Sequence, residues 1–164
     1  MSRYRPPAPP KSPYITKKGF EQLQAEEKSL WLKRRPVVTA LSAAAAEGDR
    51  SENAEFIYRK KELREIDRRI RYLQKRLPNL TVVSEKPTNL DQIFFSAITT
   101  LEDEEGNETT YRIVGPDEVD QQANYISMDS PVAKALFKKR LDDEVTVTTP
   151  AGKISYVIID IQYE

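Results

Sequence analysis

Twice in the first half of this chain, seam residues recur at alternating spacings of three and four, and a glycine separates the two runs. The first run reads Phe20, Leu23, Glu27, Leu30, Arg34, Val37, Leu41 and Ala44; the second reads Phe56, Arg59, Leu63, Ile66, Ile70, Leu73 and Leu77. That period is the seam of one α-helix lying along another. Glu27 and Arg34 interrupt the first run and Arg59 the second. Thr16 is placed as the N-cap of the first helix, with Ile15 and Phe20 set for a hydrophobic staple. Pro36 removes a backbone hydrogen bond and crowds the preceding turn, so a kink or local break is expected there. "LSAAAAE" restores strong helix propensity up to Gly48, and Pro78 ends the second run. Two seams around one short turn make an antiparallel αα-hairpin. Folding at residues 48–49 sets Leu41 against Phe56, Leu30 near Ile66 and Phe20 against Leu77. Each arm is then about 28–30 residues, or roughly 40–45 Å at about 1.5 Å per residue.

From Thr81 the period changes to two. Segments 93–101, 109–115, 144–150 and 154–163 read as strands, with a further short one at 123–128. "EDEEGN" and "TPAG" supply turns. A helix is expected over 131–139, capped by Ser130 with Pro131 at its first position. The expected fold class is therefore α+β: a long helical coiled-coil hairpin over 14–80, then an antiparallel sheet with one short helix over 81–164. Residues 1–13 are Pro-rich and read as a flexible tail.

Charge separates the same two parts. The chain carries 26 basic and 26 acidic residues, yet residues 1–80 hold 19 basic and 10 acidic ones, a net of +9, which leaves −9 for residues 81–164. A basic module facing a polyanion would explain this, and so would a solvated helical surface. There is no Cys and no His, which excludes disulfides, Cys/His zinc sites, Cys nucleophiles and His bases. Any metal must take oxygen ligands, which favours Mg²⁺, Mn²⁺ or Ca²⁺. No apolar run approaches the roughly 20 residues of a membrane span, and the tail has no apolar signal-peptide core. The expectation is a soluble, cytoplasmic protein with no membrane partner.

Two features carry candidate chemistry. Asp49 and Glu52 stand three apart beside Gly48, at the expected hairpin tip. They fit a capping box, in which each side chain satisfies a backbone N–H. Capping is the stronger reading of this stretch alone; the other is a pair of carboxylates offered to a divalent cation, a weak site without further ligands. The second feature is a stripe at Lys61, Arg64, Arg68, Arg71 and Lys75, with the spacing of the seam but displaced from it. Lys33, Arg34 and Arg35 are placed to extend it from the first arm. Pairing along the helix, as Glu55–Arg59, Glu65–Arg69 and Asp67–Arg71, would neutralise part of this charge. A continuous stripe suits a phosphodiester backbone without base readout. Carboxylates at the tip would repel that backbone unless a cation lies between them.

The motifs "YITKKGFEQLQAE", "GDRSENAEF", "KKELREIDRRIRYL" and "YISMDSPVAKALFKKRLDDEVTVTTPAGKISYVI" resemble the bacterial transcript cleavage factors of the GreA/GreB family, most of all its GreB branch, over residues 14–163. The resemblance implies a coiled-coil N-terminal domain and an FKBP-like C-terminal domain that docks on bacterial RNA polymerase. It implies insertion of the hairpin into the polymerase's secondary channel and no enzymatic activity of the protein alone. Asp49 and Glu52 match the family's catalytic pair, which supports a Mg²⁺ shared with the polymerase and not held by the free protein. The polymerase would then cleave the 3′ RNA of a backtracked, arrested complex. The basic stripe matches the family's patch facing the nascent RNA 3′ end. Arg50, Ser51, Asn53 and Phe56 also match the tip motif, without an assigned role. The free protein is expected to be a monomer. Two other readings have distinct signatures: a channel-binding regulator that blocks without cleaving, and a prolyl isomerase suggested by the FKBP-like domain alone.

Overall fold

Helix α1 spans Lys17–Ala45 and α2 spans Ala54–Arg76 in the computed structural model, which describes residues 4, 6–48 and 53–164. Thr16 caps α1 as expected: its Oγ1 accepts from the Gly19 N–H at 3.1 Å. Pro36 neither ends nor interrupts the helix. The carbonyl that loses its donor is that of Leu32, a residue 71% exposed, where water can take the donor's place. The first arm, at 29 residues, has the expected length, but α2 has 23. It starts late, at Ala54, and it stops at the 3₁₀ turn Leu77–Asn79, which contains Pro78.

The chain divides into two compact units, one being Phe20–Leu80 and the other joining Met1–Gly19 to Thr81–Glu164. In the first, the seam residues are the ones withdrawn from water. Leu23, Val37 and Ala44 of α1 and Ile66, Ile70 and Leu73 of α2 are buried. Val37, Ile66 and Ile70 form one cluster, with Leu30 and Leu63 packed against it. The interruption at Arg34 is satisfied across the hairpin, where its Nε donates to Asp67 at 2.7 Å. That hydrogen bond, and then the charge of Asp67, raises the Arg34 pKa. Arg69 likewise reaches Glu26 on α1 at 3.0 Å. The ion pairing therefore departs from the expected pattern: Asp67 and Arg69 bond across the two helices. Arg59 does pair along α2, with Glu55 at 2.8 Å and Glu62 at 3.0 Å.

The second unit holds β1 (Tyr14–Thr16), β2 (Thr81–Val83), β3 (Ile98–Asp103), β4 (Glu108–Val114), β5 (Tyr125–Ser127), α3 (Pro131–Leu136), β6 (Glu144–Thr149) and β7 (Gly152–Gln162). Strands β1 and β2, neither foreseen, pair in parallel, Tyr14 against Thr81 and Thr16 against Val83. The main sheet has the order β5-β4-β3-β7-β6. It is antiparallel except at one edge, where β4 and β5 run parallel, so the expected all-antiparallel sheet is a mixed one. Segment 93–97 is not strand. Ser96 has φ +72°, which breaks the extended run, and β3 starts at Ile98. Helix α3 also ends early: Phe137 leaves helical geometry at ψ 129°, and Lys138 follows at φ +67°. Its N-terminus is as expected, with Ser130 Oγ accepting from the Ala133 N–H at 3.2 Å.

Alternation along the strands places Leu101, Ile113, Val145 and Ile158 in one core with Ala133 and Leu136 of α3 and Ile93 and Ala97 of the preceding turn. A second feature of this unit is a fully buried carboxylate, Glu118. It accepts from the Thr16 N–H at 2.8 Å, the Gly115 N–H at 2.9 Å and the Thr16 hydroxyl. Two glycines make room for it. A Cβ on Gly19 would lie 2.2 Å from Glu118 Oε1, and one on Gly115 would lie 1.9 Å from the Tyr14 carbonyl oxygen. No helix among the described residues is long and apolar enough to cross a membrane.

Candidate functional site

One side chain, Asn53, links the helix ends on either side of the tip motif. Asn53 is the N-cap of α2, its backbone extended and its Oδ1 accepting from the Phe56 N–H at 3.1 Å. Its Nδ2 donates to the Ala44 carbonyl of α1 at 2.7 Å. One amide thus satisfies an orphan donor of α2 and gives the Ala44 carbonyl of α1 a second donor beside the Glu47 N–H, which lies at 3.2 Å. The N-cap of α2 is therefore not Asp49, as the capping reading has it, but Asn53, four residues later. Asn caps about as well as Asp, so the local sequence, which offers Asp49, Ser51 and Asn53 in turn, does not choose among them. Phe56 is half-buried, with the Lys60 ammonium 5.8 Å from its ring centroid. Gly48 takes φ +132°, a backbone suited to glycine. Asp49, Arg50, Ser51 and Glu52 lie outside the described residues.

The stripe is a property of the surface as well as of the spacing. Lys61, Arg64, Arg68, Arg71 and Lys75 are all exposed. Arg64, Arg68 and Arg71 share one groove of about 350 Å³ with Lys60, Leu63 and Asp67. Its one acid, Asp67, already bonds Arg34, so the groove keeps a net positive charge. The first arm does not extend this groove as expected. Arg34 turns to Asp67, while Arg35 lines another groove, of about 650 Å³, with Lys28, Trp31, Leu32 and Arg34. Among the described residues, no group of three or more acidic side chains is placed to hold a metal ion.

Residues 13–82 match the family model described as "Transcription elongation factor, N-terminal", and residues 86–163 match "Transcription elongation factor, GreA/GreB, C-term". The transcription elongation factor GreB of Pseudomonas aeruginosa is 57% identical, covering 99% of this chain and 98% of its own. The one from Xanthomonas axonopodis pv. citri is 56% identical with the same coverage. The one from Yersinia pestis is 53% identical over 93% of this chain and 90% of its own. A solved structure described as the crystal structure of Thermus aquaticus Gfh1 aligns at 24% identity, covering 93% of this chain and 99% of that one, with a TM-score of 0.43.

Proposed function

Because the chain belongs to the GreA/GreB family of transcription elongation factors, we propose that it enters the secondary channel of RNA polymerase hairpin-first and stimulates cleavage of the 3′ RNA in backtracked, arrested complexes. The observation that carries this reading is the pairing of an exposed cationic groove on α2 with a tip motif whose helix cap is Asn53. Capping of α2 falls to Asn53, and the chemistry we assign to Asp49 and Glu52 is metal binding. Their donor set is two carboxylates in a chain without His or Cys. That set suits a hard divalent ion and leaves positions for ligands from the polymerase and the RNA. Asp49 and Glu52 would hold Mg²⁺ there, and bound Mg²⁺ supplies water activation and charge stabilisation for phosphodiester hydrolysis. Asp49 and Glu52 also orient water by accepting its hydrogens. Arg64, Arg68 and Arg71 neutralise RNA phosphates and so position the strand without reading its bases. The hydrolytic site belongs to the polymerase, and this chain acts as a monomeric accessory.

Asp49→Asn tests the proposal in a stalled-complex assay with Mg²⁺. Folding and polymerase binding are expected to stay normal, with transcript cleavage largely lost. Full cleavage by that variant overturns the role of the pair. Polymerase binding by the wild type with no cleavage at any Mg²⁺ concentration would instead identify a blocking regulator.

A further inference from the structure

Trp31 is the only tryptophan in the chain, and it stands 45% exposed at the edge of the α1 seam, one position after Leu30. Beside it Leu32 is 71% exposed. A free helix surface gains nothing from leaving such side chains in water, and an exposed apolar patch rimmed by polar groups marks a binding surface. Its rim is cationic. The groove around Trp31 is lined by Lys28, Leu32, Arg34 and Arg35, three cations and no acid. Arg34 is matched by Asp67, so Lys28 and Arg35 supply the net charge. They stand three residues before and four after Trp31, on the same side of the helix. A second groove shares Lys28 and Trp31 and continues along Gln24 and Glu27 to Phe20, Leu77 and Pro78.

We propose that this face of α1 is a base-stacking platform for single-stranded RNA, with Trp31 taking a base and Lys28 and Arg35 the flanking phosphates. An aromatic face bordered by cations is the chemistry that holds single strands without sequence preference. An acidic protein surface could use the same cations and apolar side chains, and the abasic strand and the polymerase-affinity measurement below separate that occupant from a stacked base. The platform lies on the other helix from the Arg64–Arg68–Arg71 groove and makes a different contact, with bases in place of phosphates alone. The proposal rests on the elongation-factor reading for the presence of RNA, but its test needs neither polymerase nor Mg²⁺.

The sole tryptophan makes the test direct. The full chain is titrated with a short oligoadenylate and with an abasic oligoribophosphate of the same length, while indole fluorescence is followed. Quenching by the oligoadenylate alone is expected, even though both oligomers bind. Trp31→Ala should weaken oligoadenylate binding about tenfold, from the usual worth of one stacked base, with Trp31→Phe recovering most of it. Abasic binding should be unchanged in both variants. Lys28→Gln with Arg35→Gln should flatten the salt dependence for both oligomers. Bound oligoadenylate without quenching, no binding, or equal quenching by the abasic strand overturns the proposal. So does a Trp31→Ala protein that keeps its RNA affinity but loses affinity for polymerase, which would make the face a protein contact. Should stacking be found while cleavage stimulation is absent, the platform stands and the functional reading falls.

Discussion

The two units are held together by different physics. The sheet unit closes a core in which Leu101, Leu136 and Ile158 have no solvent exposure, and it buries a carboxylate with three donors around it. The hairpin unit packs a small cluster, Val37, Ile66 and Ile70, and supplements it with the Arg34–Asp67 and Arg69–Glu26 pairs at partly exposed positions. A sheet gathers strands distant in sequence around side chains from a third layer, whereas two helices share one narrow seam. The sheet unit should therefore respond to lost volume and the hairpin to lost helix ends. It also follows why the hairpin can present so many cations: most of its surface has no packing duty.

The largest expected effect is in the sheet core. Ile158→Ala should cost about 2–5 kcal/mol in denaturant melts, the range for truncating a fully buried aliphatic residue. Ile70→Ala in the hairpin should fall at the low end of that range, since a two-helix seam collapses more readily around a cavity. Equal costs would remove the contrast. Asn53→Ala should come next, at about 1 kcal/mol for the lost cap, read from helix circular dichroism. Asn53→Asp keeps an acceptor for Phe56 but loses the donor to Ala44, so it should recover only part of that loss. Complete recovery would mean that the bond to α1 contributes nothing.

A subtler difference concerns alkaline pH. Burial, opposed by the hydrogen bond with the Phe94 amide, raises the pKa of the Tyr163 phenol. The phenol also donates to the Gln92 carbonyl. A raised folded pKa gives stability that is intact below the unfolded phenol's pKa and is lost as pH rises through the folded one. The sheet unit should thus weaken above pH about 10, and Tyr163→Phe should flatten that fall. Tyr156, whose phenol is also raised by burial, leaves part of the slope in place. The smallest effect belongs to Asp67→Asn, a change at a half-exposed pair that should vanish in high salt. A large, salt-independent loss would show the pair to be a structural support of the hairpin.

The hairpin was legible because its signal is local and repeated. A period between three and four over some 20 residues has one common structural solution, and the seam positions of both runs are the ones removed from solvent. The stripe was legible for the same reason, since residues spaced like a seam but displaced from it must share another face. Single elements misled where one residue outweighed a pattern. The apolar run from Ile93 looks like a strand, yet the positive φ of Ser96 turns its first five residues into a core-filling turn. At the tip, Asp and Asn are about equally competent to cap, and the carbonyl of Ala44 across the hairpin favours Asn53, whose amide donates there while accepting from the Phe56 N–H.

By itself, the sequence determined the helical hairpin, the change to strands after Thr81, the cationic face and the caps at Thr16 and Ser130, all consequences of neighbours within a few positions. Only the tertiary structure decided the parallel β1–β2 and β4–β5 pairs, the ion pairs between helices and the three donors gathered on Glu118. These contacts join residues up to 102 positions apart. No periodicity along the chain encodes such a meeting, because it depends on where the backbone returns and which unsatisfied groups it meets there.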